Sequence, residues 1–468
     1  MLFSSMTFLF VFMPILMFAY FFAKKEVRNY VLLIASVIFY SFGDLRYLAI
    51  MIMTIAINYY GALGLEKCKT ATHKKWVLAL SITADLGFLF YFKYFDFVID
   101  NLNAVLTVDF DFVDVVMPLG ISFYTFQAMS YLIDVYRGEV PAQKDVYKLA
   151  LFIVLFPQLV AGPIVKYHDI CGQIDNRNLK FDMVVCGLKR FIMGLAKKVL
   201  IANTLALTVD KIFAQSIDQI SFGVSWIGAM GYCLQLYFDF SGYSDMAIGL
   251  GMMFGFRFME NFDYPYISKS ITEFWRRWHI SLATWFKQYL YIPLGGNRIS
   301  AVRTYINLFL VFLVTGIWHG AAWTFVIWGV WNGVFIVFER FVGWNKEHQD
   351  KLATTVLRHI YALMVIVCGM IIFRAPDLHF AFDYILRMLH LQTVDHLPRY
   401  DYGFNNKFLL MMIVGAVLAM PVFKNILAVP YERKVVRTVV NVWLFALFVL
   451  SSAALASATY NPFIYFRF

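Results

Sequence analysis

Residues 305–320 read YINLFLVFLVTGIWHG, and the fold turns on how this stretch is read. The run from Tyr305 to Trp318 is almost wholly apolar, and His319 stands at its end. Apolar residues resume at once and continue to about residue 342, so a pair of membrane helices is expected at 304–319 and 321–342. A charged side chain at membrane depth costs on the order of 2.5–3.5 kcal/mol. Imidazole avoids much of that cost by staying neutral, and neutral imidazole is a competent general base. His319 therefore reads first as a functional group. The structural alternative is a histidine that hydrogen-bonds a neighbouring helix.

Composition extends this reading to the whole chain. Of 468 residues, 61% are hydrophobic and only 15% charged, where soluble domains run nearer 45–50% and about 25%. Mean hydropathy is +0.67. Aromatic residues reach 19%, which suits aromatic belts and broad helix contacts. The fold class expected is an all-α polytopic membrane protein, with spans near 6–22, 29–44, 46–65, 76–98, 115–136, 187–208, 223–254, 304–319, 321–342, 356–374, 407–423 and 437–456. No internal repeat or low-complexity tract is evident, and residues 1–468 are read as a single integral domain. The run Met6 to Phe22 lacks a basic leader and a small-residue cleavage site, so a retained helix is expected.

Charge gives the orientation. Lys24, Lys25 and Arg28 lie in one loop, and Lys67, Lys69, Lys74 and Lys75 in another; both are expected on the cytoplasmic face. Asp100, Asp109, Asp111 and Asp114 then fall outside, as does the segment from Asp210 to Asp218. Lys346 to Lys351 and Arg433 to Arg437 fall inside, and both termini outside. This parity requires that LALFIVLFPQLVAGPIV, residues 149–165, does not cross. Pro157, Gly162 and Pro163 break any long helix there, and a re-entrant segment is expected. The net charge of +10 suits anionic headgroups on the inner leaflet. The basic residues are scattered over short loops, which argues against nucleic acid as a partner and leaves membrane lipids. Cys68, Cys171, Cys186, Cys233 and Cys368 form no CxxC pair, so neither a disulfide framework nor a metal site is expected.

Two further stretches carry polar chemistry. Residues 273–298 read EFWRRWHISLATWFKQYLYIPLGGNR. On one helix, Trp275, Trp278, His279, Leu282, Trp285 and Phe286 would share a face, with Arg276, Arg277 and Lys287 off it. An interfacial anchor fits that pattern. So does a pair of arginines meeting the phosphates of an anionic cofactor from the cytoplasm. His279 reads equally as a second catalytic group or a packed polar residue. Residues 235–249, QLYFDFSGYSDMAIG, place Asp239 and Asp245 inside a span, where they must face a partner or a cavity. A structural network and an acceptor-side site both account for them. Gly251 and Gly255 have the spacing of close helix contact.

Several stretches together resemble the membrane-bound O-acyltransferase (MBOAT) family, within it the bacterial alginate O-acetyltransferase membrane-subunit branch. They are MLFSSMTFLFVFMPI at 1–15, PLGISFYTFQAMSYLIDVYRG at 118–138, FPQLVAGPIVKY at 156–167, QLYFDFSGYSDMAIGLG at 235–251, EFWRRWHISLATWF at 273–286, YLYIPLGGNR at 289–298, TGIWHGAAWTFVIWGVWNG at 315–333 and NPFIYFRF at 461–468. The likeness is weakest over 374–440. It departs at Phe286-Lys287-Gln288, where Arg-Asp would follow the aromatic residue, so an ion pair or cofactor contact is altered there.

The resemblance implies a ring of transmembrane helices, with re-entrant and interfacial helices around a central tunnel. It implies His319, next to Trp318, as the active-site histidine and His279 as the second recurrent polar position. It also implies a cytoplasmic thioester donor, acetyl-coenzyme A, with no permanently bound cofactor. The expected acceptor is an exported polysaccharide such as alginate, served with an extracytoplasmic acetyltransferase partner protein at a bacterial inner membrane. Rival readings are D-alanyl transfer to a cell-wall polymer within the same family, a polysaccharide transporter, and a non-catalytic scaffold.

Overall fold

The computed structural model describes residues 1–43, 45–106, 110–113, 115–344, 351–391, 400–423, 434–457 and 461. Among these every regular element is helical. Asp109, Asp114, Lys346, Arg433 and residues 462–468 of the terminal motif lie outside the described residues. The chain forms two compact units, residues 1–191 with 244–259, and residues 192–243 with 260–468.

Seven described helices are long and apolar enough to cross a membrane: Leu45–Lys67, Ala71–Leu106, Phe181–Phe213, Ala301–His319, Trp323–Phe341, Leu352–Arg374 and Val435–Ser457. Phe8–Phe22, Arg28–Ser41 and Asn406–Leu418 are shorter apolar helices at expected spans. Ile121–Arg137 and Phe222–Met253 also form where spans are expected. They fall outside that set because the first is short and the second carries Gln235, Asp239, Ser241 and Asp245 in its middle. Their polar groups face protein: Gln127, Asp134, Gln235 and Asp239 are all buried. Apolar side chains such as Ile15, Phe18, Phe22 and Phe445 stand exposed, as lipid-facing residues must.

In the first unit the expected break at 149–165 is present. Val146–Val154 ends at Leu155, one turn follows at Phe156–Leu159 with Pro157 near its start, and the chain then runs without helix to Lys166. Residues 151–167 are buried throughout, so this irregular backbone is satisfied by protein. The expected glycine contact is corrected here. Gly255 lies beyond the end of Phe222–Met253 and adopts φ +86°, the left-handed turn that stops the helix. Gly251 meets the Phe258 ring, where an added Cβ would come within 2.6 Å.

In the second unit Ala301–His319 and Trp323–Phe341 fold back on each other. A Cβ on Gly316 would lie 2.4 Å from the Phe325 carbonyl oxygen, and one on Gly329 would lie 2.6 Å from that of Phe312. The two backbones therefore touch, which is small-residue packing at membrane depth.

The single helix expected over 273–298 is also corrected. Ile271–Arg277 and Ile280–Phe286 are separate short helices, broken at Trp278 and His279, and His279 sits at φ +46°. A non-glycine residue in the left-handed region is uncommon and costs energy, which marks a position held by its surroundings. Trp275, Trp278, Leu282, Trp285 and Phe286 are nevertheless all buried, as the apolar pattern requires.

Substituting Gly316 by valine should push these two helices apart and destabilise the protein by about 1–3 kcal/mol. The measurement is the thermal midpoint in detergent. An unchanged midpoint would mean that the backbone contact contributes nothing.

Candidate active site

His319 is the last residue of Ala301–His319, and the chain then turns through an extended Gly320. The glycine is required by space. A Cβ there would lie 2.2 Å from a ring carbon of Phe325. The imidazole, only 7% exposed, is caged by aromatic rings, with centroids 5.0 Å away at Trp318, 5.0 Å at Trp328 and 5.3 Å at Phe373. It borders a cavity of about 20 Å³, whose other walls are Leu236, Phe240, Trp278, Trp328, Met370 and Phe373. That space is on the scale of one water molecule.

His279 approaches the same aromatic wall. Its ring lies edge-to-face on Phe240, centroids 4.7 Å apart, and 6.5 Å from Trp318. Asn261 Oδ1 lies 3.2 Å from His279 Nδ1, and also accepts from the Ser281 amide at 3.2 Å and the Ser281 hydroxyl at 2.9 Å. His279 lies between the spans, and burial pushes its pKa down to about 3. The ring is therefore neutral across the physiological range.

The helix leading into His279 is fixed at its start. The Ser270 hydroxyl accepts from the Glu273 amide at 2.9 Å. Glu339, fully buried on the neighbouring span, accepts from the Ile271 amide, from the Thr272 amide at 2.8 Å and from the Thr272 hydroxyl at 2.7 Å. These bonds satisfy the orphan donors of a first helical turn. One turn on, Trp275 Nε1 donates to Asn332 Oδ1 at 3.1 Å.

The two arginines part company. Arg277 is committed to Glu273 at 3.0 Å and to Asp263 at 3.2 Å. Arg276 is exposed. The two aspartates of the polar span are both ion-paired. Asp239 meets Lys198 Nζ at 2.5 Å, and Lys198 also donates to Asn203 Oδ1 at 2.8 Å. Asp245 holds Arg190 at 2.9 Å, both residues lying in the first unit. Lys287 is exposed on a short π-helical turn, Lys287–Tyr291.

Among the described residues, one group, Asp134, Glu139 and His168, has ligand atoms close enough for a metal. His168 is instead held by Asp134 at 2.8 Å and Asp169 at 3.1 Å, and those carboxylates raise its pKa to about 9. Without a metal those carboxylates favour the protonated ring, and the three side chains form an ion-pair cluster.

A family model described as membrane-bound O-acyltransferase matches residues 143–376, a stretch containing both His279 and His319. The chain belongs to the membrane-bound O-acyltransferase family. Over their full lengths it is 41% identical to the Pseudomonas putida (strain KT2440) protein named "Probable alginate O-acetylase AlgI". A protein of the same name from Pseudomonas syringae pv. tomato is 47% identical over 81% of this chain and 74% of its own length. The Helicobacter pylori peptidoglycan O-acetyltransferase is 35% identical over 91% of this chain and 87% of its own. Family membership makes the chain a multi-pass membrane O-acyltransferase.

Three residues of this acyltransferase escaped the sequence reading: Asn261, Glu339 and Lys198. Glu339 and Lys198 had a visible signal, since each is a charge inside an apolar helix and needs a partner. Asn261 had none, because a polar residue in a polar interruption attracts no notice.

Replacing Lys198 by methionine should strand the Asp239 carboxylate in a buried site and destabilise the protein by about 3–5 kcal/mol. Pairing Lys198→Met with Asp239→Leu should recover most of that loss. The check is folded yield and thermal midpoint in detergent for the single and double variants.

Proposed function

We propose that this acyltransferase, acting as one domain over its whole length, moves an acetyl group from cytoplasmic acetyl-coenzyme A to a hydroxyl on the outer side of a bacterial inner membrane. Both termini lie outside in this reading. The product is an O-acetylated exported polysaccharide such as alginate, formed directly or through an extracytoplasmic partner protein. The names of the relatives support acetyl transfer, since alginate and peptidoglycan O-acetylation are what those proteins are called after.

The observation that carries the reading is His319 at a span's end, facing a small apolar cavity. A neutral imidazole there takes the proton of the attacking hydroxyl, whose oxygen then adds to the thioester carbonyl carbon. Collapse of the tetrahedral adduct breaks the carbon–sulfur bond. The leaving sulfur takes the proton back from the imidazolium, giving an acetyl ester and free thiol. General-base help of this kind is worth ~10²–10⁴-fold. Arg276 is the candidate for the donor's phosphates, because its guanidinium is exposed while that of Arg277 is bound. Asp239 and Asp245 act through their ion pairs, orienting the helices that carry them.

The test is thiol release from acetyl-coenzyme A by purified protein in detergent, with the exported glycan fraction added. Wild type should release thiol, and His319→Ala should reduce the rate by ~10²-fold or more. Equal release by the two proteins would remove His319 from the chemistry.

A further inference from the structure

The Asn261 side chain meets three groups at once, and their chemistry fixes a proton. A backbone amide can only donate. The Asn261 atom that faces the Ser281 amide at 3.2 Å is therefore the carbonyl oxygen, not the NH₂ group. The Ser281 hydroxyl has one hydrogen, and its nearer acceptor is that same oxygen, at 2.9 Å, rather than His279 Nδ1 at 3.5 Å. His279 Nδ1 lies 3.2 Å from the same oxygen. A carbonyl oxygen carries no hydrogen to give, so the hydrogen of the third contact must sit on Nδ1.

The backbone makes this geometry rigid. The Asn261 carbonyl accepts from the Ile280 amide at 3.0 Å, and the Arg277 carbonyl accepts from the Asp263 amide at 2.9 Å. Segment 261–263 is thus laced to 277–280 on both sides of the left-handed residue His279. Asn261 itself is buried. The strained turn and the tautomer share one brace.

We infer that Asn261 is a positioning residue that locks His279 as the Nδ1–H tautomer and leaves Nε2 as the ring's hydrogen-bond acceptor. The inference rests on the acyltransferase reading and deepens it. A neutral His279 of this tautomer has no N–H at Nε2 to offer a developing oxyanion. Its part in the reaction is to accept, from an O–H or N–H of the bound substrates, while His319 takes the proton. The ring stays in its neutral form because burial, rather than a neighbouring charge, sets its protonation.

Three proteins test this beside wild type. Asn261→Asp keeps an oxygen facing Nδ1 and Ser281, so the tautomer survives, but its charge favours the imidazolium. Activity should persist above neutral pH, and the acid limb of kcat should move to higher pH. Asn261→Ala loses the acceptor, and kcat should fall roughly tenfold at every pH, the scale of one lost hydrogen bond, with the donor KM little changed. Equal loss in both variants with an unshifted pH profile would overturn the inference. His319→Ala is assayed in parallel; full activity there would sink the general-base reading and leave the tautomer question separate.

If either Asn261 variant fails to fold, the nitrogen-15 shifts of labelled imidazoles in wild-type protein decide the matter. The His279 signals are identified by their loss in His279→Gln. A protonated Nδ1 and bare Nε2 support the lock, and a protonated Nε2 refutes it.

Discussion

Glu339 sits on a span and gives both carboxylate oxygens to the first turn of Ile271–Arg277. Two short helices and a left-handed residue could not hold their place on propensity alone, since helices of this length are unstable in isolation. The carboxylate supplies what that turn lacks, and the turn supplies the hydrogen bonds without which a buried carboxylate would be costly. Trp275 on Asn332 repeats the arrangement one turn further along. From these anchors the chain reaches His279 in a fixed direction, and the Asn261 brace receives it. His279 then lies against Phe240, and Trp318 neighbours both histidines.

The same economy of polar groups runs through both units. Lys198 meets Asp239, and Arg190 meets Asp245, while His168 lies between Asp134 and Asp169. Lipid offers no hydrogen bonds, so a charge within a span must find its match inside the protein. Such pairs are weak sources of stability, but breaking one of them is expensive. They fix which faces of neighbouring helices meet.

Most of the helical architecture was legible in the sequence, because apolar run length is a strong signal and the spans announce themselves. The interruption at 149–165 was legible too, since proline and glycine forbid a continuous helix there. What misled was periodicity over 273–298. The buried rings of Trp275, Trp278, Leu282 and Trp285 keep helical spacing even though the helix breaks between them. Nothing local in Trp278-His279 calls for a left-handed turn; the cause is segment 261–263, distant in sequence. The pairing of Gly251 with Gly255 failed for a similar reason, because only the three-dimensional chain ends that helix at Met253. His319 stood out because its surroundings are so apolar, whereas Asn261 was hidden because its own are not.

The lining of the cavity bears on how the reaction proposed for this site would exclude water. A trapped water needs two to four polar partners, and apolar cavities of this size stay dry. Beside His319 the walls offer little more than hydrocarbon and indole. Water is the smallest rival nucleophile and the most abundant, and an exposed base would spend thioesters on it whenever no acceptor was at hand. In the proposed reaction such walls give water no hydrogen-bonded resting place beside the imidazole. On that reading, loss of the donor to hydrolysis is held back by the lack of hydrogen-bond partners for water at the base.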